Sequence, residues 1–410
     1  MIAFRPTHWL QYPQSVLPWL LPALLLFSRL IADFTVLLSG ILFLMWSFQQ
    51  QNWQWAKQLW FRCSLIFWAY LLLINVPFSV DPFDSLLYAV TFIRWPLFAA
   101  ALSCWLLLSS DRQRHFLLAL LATTLFIGLD TGWQYITGVD WFGIPATPEN
   151  RLTGPFRNPV PGIMMVRVEF ILLFAVVLFA SLQSATRQTL YIASILLAFL
   201  LLIFITGERM AFILCLAASL LVMLGLALQY PFKRKLIMLG GLMLAMVIIA
   251  LSFWLPETAQ RMIISTLDKL QNFRDSDYGQ VFRGAIEVWK QSPWVGNGLH
   301  SYQMVCRELG TLSNCSHPHN LYLQIGAETG LIGLGLFSLL VLSIFYQALA
   351  PLWKQKSWLL MSISAAILLI SFWPLIGGIS ILNNWVAALV WLGVGWTLLM
   401  ANHQPTVTPR

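Results

Sequence analysis

The sequence predicts an all-α integral membrane protein, a single polytopic domain over residues 1–410, and three observations predict it. Of the 410 residues, 59% are hydrophobic and only 10% charged, where an ordinary soluble domain has roughly a quarter charged. Apolar runs recur from Val16 to Met400, and as helices they are long enough, or nearly so, to cross a hydrocarbon core of roughly 30 Å. The basic residues gather in alternate short loops, as the positive-inside pattern requires.

About twelve transmembrane helices are expected, at 16–32, 34–48, 60–78, 87–108, 116–136, 163–182, 189–206, 210–229, 236–255, 320–348, 358–376 and 385–401. The first run follows Arg5 and Pro6 and lacks a small-residue cleavage site, so it reads as a span and not as a removed signal. With a cytoplasmic N-terminus, the inner loops hold Lys57, Arg62, Arg112, Arg114, Arg187, Lys233, Arg234, Lys235, Lys354 and Lys356. The short outer loops then hold only Arg151, Arg157 and Arg209, and both termini lie inside. Topology thus explains most of the formal net charge of +8, and nucleic acid is not expected as a partner.

Two outer segments interrupt the apolar pattern. Residues 138–162 contain five prolines and the run GPFRNPVPG, which reads as an ordered loop. Residues 256–318 form a largely helical loop before the tenth span, with helices expected around 257–271 and 279–291 and a break at Ser292-Pro293 and Gly296-Asn297-Gly298. The loop is too short, and too poor in strand alternation, for an independent catalytic domain. Chemistry is therefore expected where it meets the bundle. Cys63, Cys104 and Cys215 fall in or beside spans as small apolar residues. Cys306 and Cys315 share the outer loop, and a bridge between them would close a short loop next to His319.

Arg29, Arg94 and Arg167 fall inside expected spans, where an arginine at mid-bilayer costs at least about 2.5–3.5 kcal/mol. They lie toward the outer ends, the same side as Arg151, Arg157, Arg209 and Arg283, and snorkelling to headgroups competes with convergence on an anionic ligand. Asp130, near the outer end of the fifth span, is expected to be a counter-ion for one of these arginines. The run Cys315-Ser-His-Pro-His-Asn320 opens the tenth span, with Pro318 suited to a first helical turn. A helix start there would offer N–H groups to an anion, and His319 is a candidate general base. His300, His317 and His319 share the loop with the Asp275-Ser276-Asp277 triplet, but histidines two apart lack the helix-face spacing of a zinc pair, so no metal is expected. The sequence has neither a phosphate-loop motif nor a nucleophile elbow. The energy for any reaction must arrive with the substrate, and no cofactor is expected.

Three motifs resemble those of the O-antigen ligase and polymerase superfamily of bacterial envelope glycosyltransferases. They are Thr206-Gly-Glu-Arg-Met-Ala211, then Arg283-Gly-Ala-Ile-Glu-Val-Trp289 with Pro293 and Gly296-Asn-Gly298, and His319-Asn320 with Gly330, which fits the ligases' H-[NSQ]-x9-G pattern. The resemblance implies an undecaprenyl pyrophosphate-linked glycan as donor, lipid A-core as acceptor and a metal-independent transfer on the periplasmic face of the bacterial inner membrane, completing lipopolysaccharide. It implies Arg209 and Arg283 at the donor pyrophosphate and His319 as base for a sugar hydroxyl; Asn320 and Asp130 are supporting candidates. Arg157, Arg167, Arg94 and Arg151 are further candidates for the pyrophosphate. Glu208 stands where family members often have a small polar residue, which bears on the charge balance at Arg209.

The rival readings within this class are an O-antigen or exopolysaccharide polymerase and a protein O-oligosaccharyltransferase. From another class, a lipid or glycan transporter would also place arginines in spans, but with broken helices or related halves near mid-membrane.

Overall fold

A computed structural model describes residues 11–147, 149, 151–179, 184–254, 256–310, 315, 317–375 and 384–402. Its helices are α1 (Gln11–Phe27), α2 (Arg29–Gln50), α3 (Leu59–Tyr70), α4 (Pro82–Phe92), α5 (Arg94–Ala101), α6 (Ser110–Thr137), α7 (Pro161–Leu178), α8 (Ala185–Ile205) and α9 (Arg209–Gln229). There follow α10 (Arg234–Trp254), α11 (Pro256–Ala259), α12 (Ser265–Gln271), α13 (Asp277–Gln291), α14 (Tyr302–Leu309), α15 (Leu321–Lys354), α16 (Trp358–Ser371) and α17 (Asn384–Ala401). Among the described residues nine helical runs are long and apolar enough to cross a membrane. Helices also occupy the other three positions expected for spans, as α1, α10 and α16.

The chain marks its own boundaries. Ser28 caps α2 by accepting from the Ile31 N–H at 3.4 Å, so the first two apolar runs divide there, earlier than hydropathy alone places the break. Asp81 caps α4 through the Phe83 and Asp84 N–H groups, which starts the fourth expected span at Pro82 instead of 87. Gly138, with φ 83°, ends α6 in the left-handed conformation that glycine adopts without strain.

At the centre of the bundle α17 is 94% buried and α7 is 78% buried over their apolar windows. With lipid as solvent, close helix approach depends on small residues. At Gly225 of α9 a Cβ would lie 1.9 Å from the Ser362 Oγ of α16, so these two helices touch backbone to side chain with no room for a larger residue.

The expected loop helices are present, the first running from Pro256 to Gln271 through a π turn at Gln260–Ile264, and α14 is an addition the pattern did not suggest. The break after α13 has a tertiary purpose. Asn297 and Gly298 donate their N–H groups to the carbonyls of Ala327 and Glu328 at 3.1 and 2.9 Å, and the Leu331 and Ile332 N–H groups donate to Pro293 and Trp294 at 2.9 and 3.2 Å. Residues 293–298 thus dock into an opening in α15 made at Gly330, where φ is 68° and ψ −174°. A Cβ at Gly330 would meet the Trp294 carbonyl oxygen at 2.2 Å, and one at Gly296 would meet Gly330 N at 2.4 Å. Tyr70 and the Asn75 side chain lock the junction by donating to carbonyls of Val295, Glu328 and Thr329. The two glycine-bearing motifs are therefore halves of one backbone joint that fixes α13 against α15.

Candidate active site

The Thr206–Ala211 motif is the turn from α8 into α9. Gly207 has φ 73°, which lets the chain reverse within a residue and leaves Arg209 at the first position of α9. Arg209 donates from Nη1 to Ser265 Oγ of α12 at 3.2 Å. Arg261, in the π turn before α12, donates to the Gly207 carbonyl at 3.1 Å and pairs with Glu149 at 3.2 Å. Together with Lys269 these groups line a cleft of about 400 Å³. Arg209, Arg261 and Lys269 face it against the carboxylate of Glu149, which is itself 70% exposed. The cleft carries an excess of positive charge, which suits a polyanion.

Glu208 does not answer that charge. Its carboxylate accepts from the Gly162 and Ile163 N–H groups at 2.7 and 3.2 Å, capping α7 from across the turn. Burial pushes it up to about 7, opposed by Arg151, the two N–H donors and Arg167. The doubt about charge balance at Arg209 is thus resolved geometrically, because Glu208 is spent on a neighbouring helix. Arg167, buried in α7, donates to the Ile163 carbonyl at 2.7 Å, and Arg151 donates to the Pro159 carbonyl at 2.8 Å. Both sit around the Glu208 cap, one layer behind the cleft, and Arg157 is exposed on the 138–162 loop.

A relay of rings leads from the cleft to the histidine. Lys269 Nζ lies 5.5 Å from the ring centre of Tyr278 on α13, a cation–π distance. Tyr278 meets His319 edge-on at 5.6 Å, and His319 meets His317 at 4.0 Å. His319 has φ 51°, and its N–H donates to His317 Nδ1 at 3.2 Å. It therefore precedes the helix; the cap is Asn320, whose side chain accepts from the Tyr322 and Leu323 N–H groups at 3.0 Å. Pro318 is accordingly outside the first turn. The Leu321 N–H goes to the Pro374 carbonyl at 2.9 Å, so the start of α15 has its N–H groups engaged and is not the anion site the sequence suggested. A disulfide joins Cys306 of α14 to Cys315, with the Cα atoms 5.7 Å apart, and anchors the strap that carries His317 and His319.

Other expectations land elsewhere. Arg283 is exposed on α13, one turn beyond Tyr278 and outside the cleft lining, and it donates to the Arg274 carbonyl. Arg94 pairs with Asp33 at 3.0 Å, donates to Asn384 at 3.0 Å and lies 4.6 Å from the Trp95 ring. Arg29 lies 5.5 Å from the Trp385 ring. Asp130, expected to neutralise an arginine, instead accepts from the Trp141 N–H at 2.8 Å and holds the 138–162 loop. His300 pairs with Asp84 at 2.8 Å and stacks on Tyr88. Among the described residues no three His, Cys, Asp or Glu side chains come together as a metal-holding group.

Sequence reasoning missed Arg261, Lys269 and Tyr278. Arg261 lies in the π turn and Lys269 on α12, while Tyr278 is at the start of α13; a count of cations over residues 256–291 would have singled out the first two, and no local signal marks Tyr278.

Fold and site together define a polytopic helical membrane protein with a cationic cleft and a positioned histidine at one end of its bundle. Residues 192–338 match the family model described as O-antigen ligase. The match supports the O-antigen ligase superfamily, a glycosyltransferase-like enzyme family, and an O-antigen ligase or polymerase type of function. It spans Arg209, Arg261, Lys269, Tyr278, Arg283 and His319. No curated protein matches the chain.

Proposed function

We propose that the protein transfers a glycan from undecaprenyl pyrophosphate to a sugar hydroxyl of lipid A-core at the periplasmic face of the inner membrane. The observation that carries this reading is the ring relay joining the cationic cleft at Arg209 to His319. A reaction that must bind a pyrophosphate and remove one proton needs these two features side by side.

In this reading Arg209, Arg261 and Lys269 hold the donor's pyrophosphate and stabilise the charge that grows on it as the anomeric carbon–oxygen bond breaks. His319 takes the proton of the attacking acceptor hydroxyl as the new glycosidic bond forms, a contribution typically worth about 10² to 10⁴ in rate. Undecaprenyl pyrophosphate leaves with the electrons of the broken bond. Arg283, which the resemblance implies at the pyrophosphate, lies on α13 outside the cleft lining, so the pyrophosphate falls to the other three cations. The positive-inside asymmetry of the loops supports the periplasmic placement.

The test is reconstituted transfer from purified lipid-linked glycan, with Arg261→Ala and Lys269→Ala assayed against lipid A-core and against a second lipid-linked glycan as acceptor. Transfer to core that weakens in both variants and persists in chelator is expected. Transfer only to lipid-linked acceptor would make the protein a polymerase.

A further inference from the structure

A second recess lies at the far end of α8 and α9 from Arg209. The groove, of about 240 Å³, runs between α8, α9 and α10 with walls from Leu190, Leu197, Met223, Ile237 and Leu239. Leu190 and Leu239 are 50% and 52% exposed, so it opens outward between them. At Gly240 a Cβ would have only Met223 Cε at 3.4 Å and Ala193 Cβ at 4.0 Å, which leaves space where a longer side chain would lie.

Two hydroxyl side chains, Thr189 and the exposed Ser194, interrupt this otherwise apolar lining. Thr189 is 2% exposed, and among the described residues its hydroxyl has no hydrogen-bond partner. A hydroxyl left so in an apolar wall costs free energy unless an occupant supplies an acceptor.

Basic residues crowd the same end. Arg187 precedes Thr189 by two residues, and Lys233, Arg234 and Lys235 lead directly into Ile237 and Leu239. Tyr230 donates to Gln188 and so ties the end of α9, just before these basic residues, to the first turn of α8. Arg187 stands three positions before Leu190 and Lys235 four before Leu239, so each shares a helix face with a wall residue and lies about one turn nearer the end of its helix. Phe232 beside them is fully exposed, as an aromatic at a membrane interface is.

From the groove, the orphan hydroxyl and the basic rim, we propose a binding site for one anionic glycerophospholipid. An acyl chain fills the groove, a glycerol-ester oxygen accepts from Thr189 Oγ, and the phosphodiester meets Arg187 and the Lys233–Lys235 run. A free phosphate would leave the apolar walls empty, and a zwitterionic headgroup would bring its own cation to the rim. This site is independent of the transfer reaction.

The experiment uses the full chain in nanodiscs of phosphatidylcholine with an equal share of phosphatidylglycerol, followed by native mass spectrometry of retained lipid. Phosphatidylglycerol should be retained with a preference of roughly tenfold or more, given several basic groups near one headgroup. Gly240→Leu should abolish retention and Gly240→Ala should keep it. Replacing Lys233, Arg234 and Lys235 together by glutamine should erase the preference, and Thr189→Val should weaken retention; the latter two stand in for Gly240→Leu if that variant does not fold. Equal retention of the two lipids by the unaltered protein, or undiminished phosphatidylglycerol in these variants, overturns the site.

Discussion

Arg94 and Arg209 both stand at the first residue of a helix in an apolar bundle, yet their settings are opposite. Arg94 has Asp33, Asn384 and the Trp95 ring around its guanidinium, so its charge is answered within the fold. Arg209 has a serine hydroxyl and a cleft that it shares with Arg261 and Lys269. An arginine that costs free energy to place near a membrane is kept for one of two reasons, a partner inside the protein or a partner that arrives. Charge balance distinguishes them where span position does not.

The comparison is tested most severely by His319, the endpoint of the relay from the Arg209 cleft. His319→Ala should lower turnover at least about 10²-fold, the lower bound for general-base removal, while donor binding stays near normal because a neutral imidazole holds little pyrophosphate. Near-normal turnover at matched protein levels would reassign the base to His317.

Arg209→Ala should lose both donor binding and turnover, the latter by about 10²-fold as for other removed transition-state donors. Arg209→Lys should recover part only, since a point charge does not reproduce a bidentate fork. Arg94→Met should act in the reverse sense, sparing donor binding per folded molecule while lowering stability by roughly 1–3 kcal/mol, as expected when a partly buried polar group loses its partner. Restoring much of that loss by adding Asp33→Asn would show that the stranded carboxylate caused it. If Arg94→Met instead weakened donor binding as much as Arg209→Ala, the distinction between the two arginines would collapse.

A smaller effect concerns Glu208. Its carboxyl is raised in the folded protein to about 7, whereas an unperturbed glutamate titrates near 4.3. Between these values the folded state binds the proton and the unfolded state does not, so stability must fall as pH rises through the window and level off above it. Thermal unfolding should show the unaltered protein losing stability relative to Glu208→Gln from pH 5 to pH 8. A pH-independent difference would mean that the α7 N–H groups outweigh burial. Smallest of all, replacing Cys306 and Cys315 together by serine should reduce turnover severalfold and leave the Arg94 cluster untouched, since the bridge restrains only the strap carrying His319. Equal turnover with and without the bridge would show that Tyr278 and His317 suffice to place the histidine.

Much of this fold was legible in the chain because the bilayer allows few alternatives. A run of apolar residues that must satisfy its own backbone becomes a helix, and helix covers most of the described part of each expected run, nine helical runs among the described residues being long and apolar enough to cross a membrane. Arg209 and His319 were legible because they flank helix starts, whereas Gly330 was legible only through the motif that carries the resemblance. The sequence by itself thus determined which long stretches become helices, while α14 and the helix caps at Ser28, Asp81 and Asn320 emerged only in the structure. It did not determine which ends meet. That Gly296 and Gly330 form one joint, that Asp33 answers Arg94, that Glu208 caps α7, and that Lys269 and Tyr278 connect Arg209 to His319 are consequences of packing between residues far apart in the chain. Apolar periodicity encodes which face is buried and carries no information about the partner, so only the tertiary structure could separate the arginines that are answered from those that face a cleft.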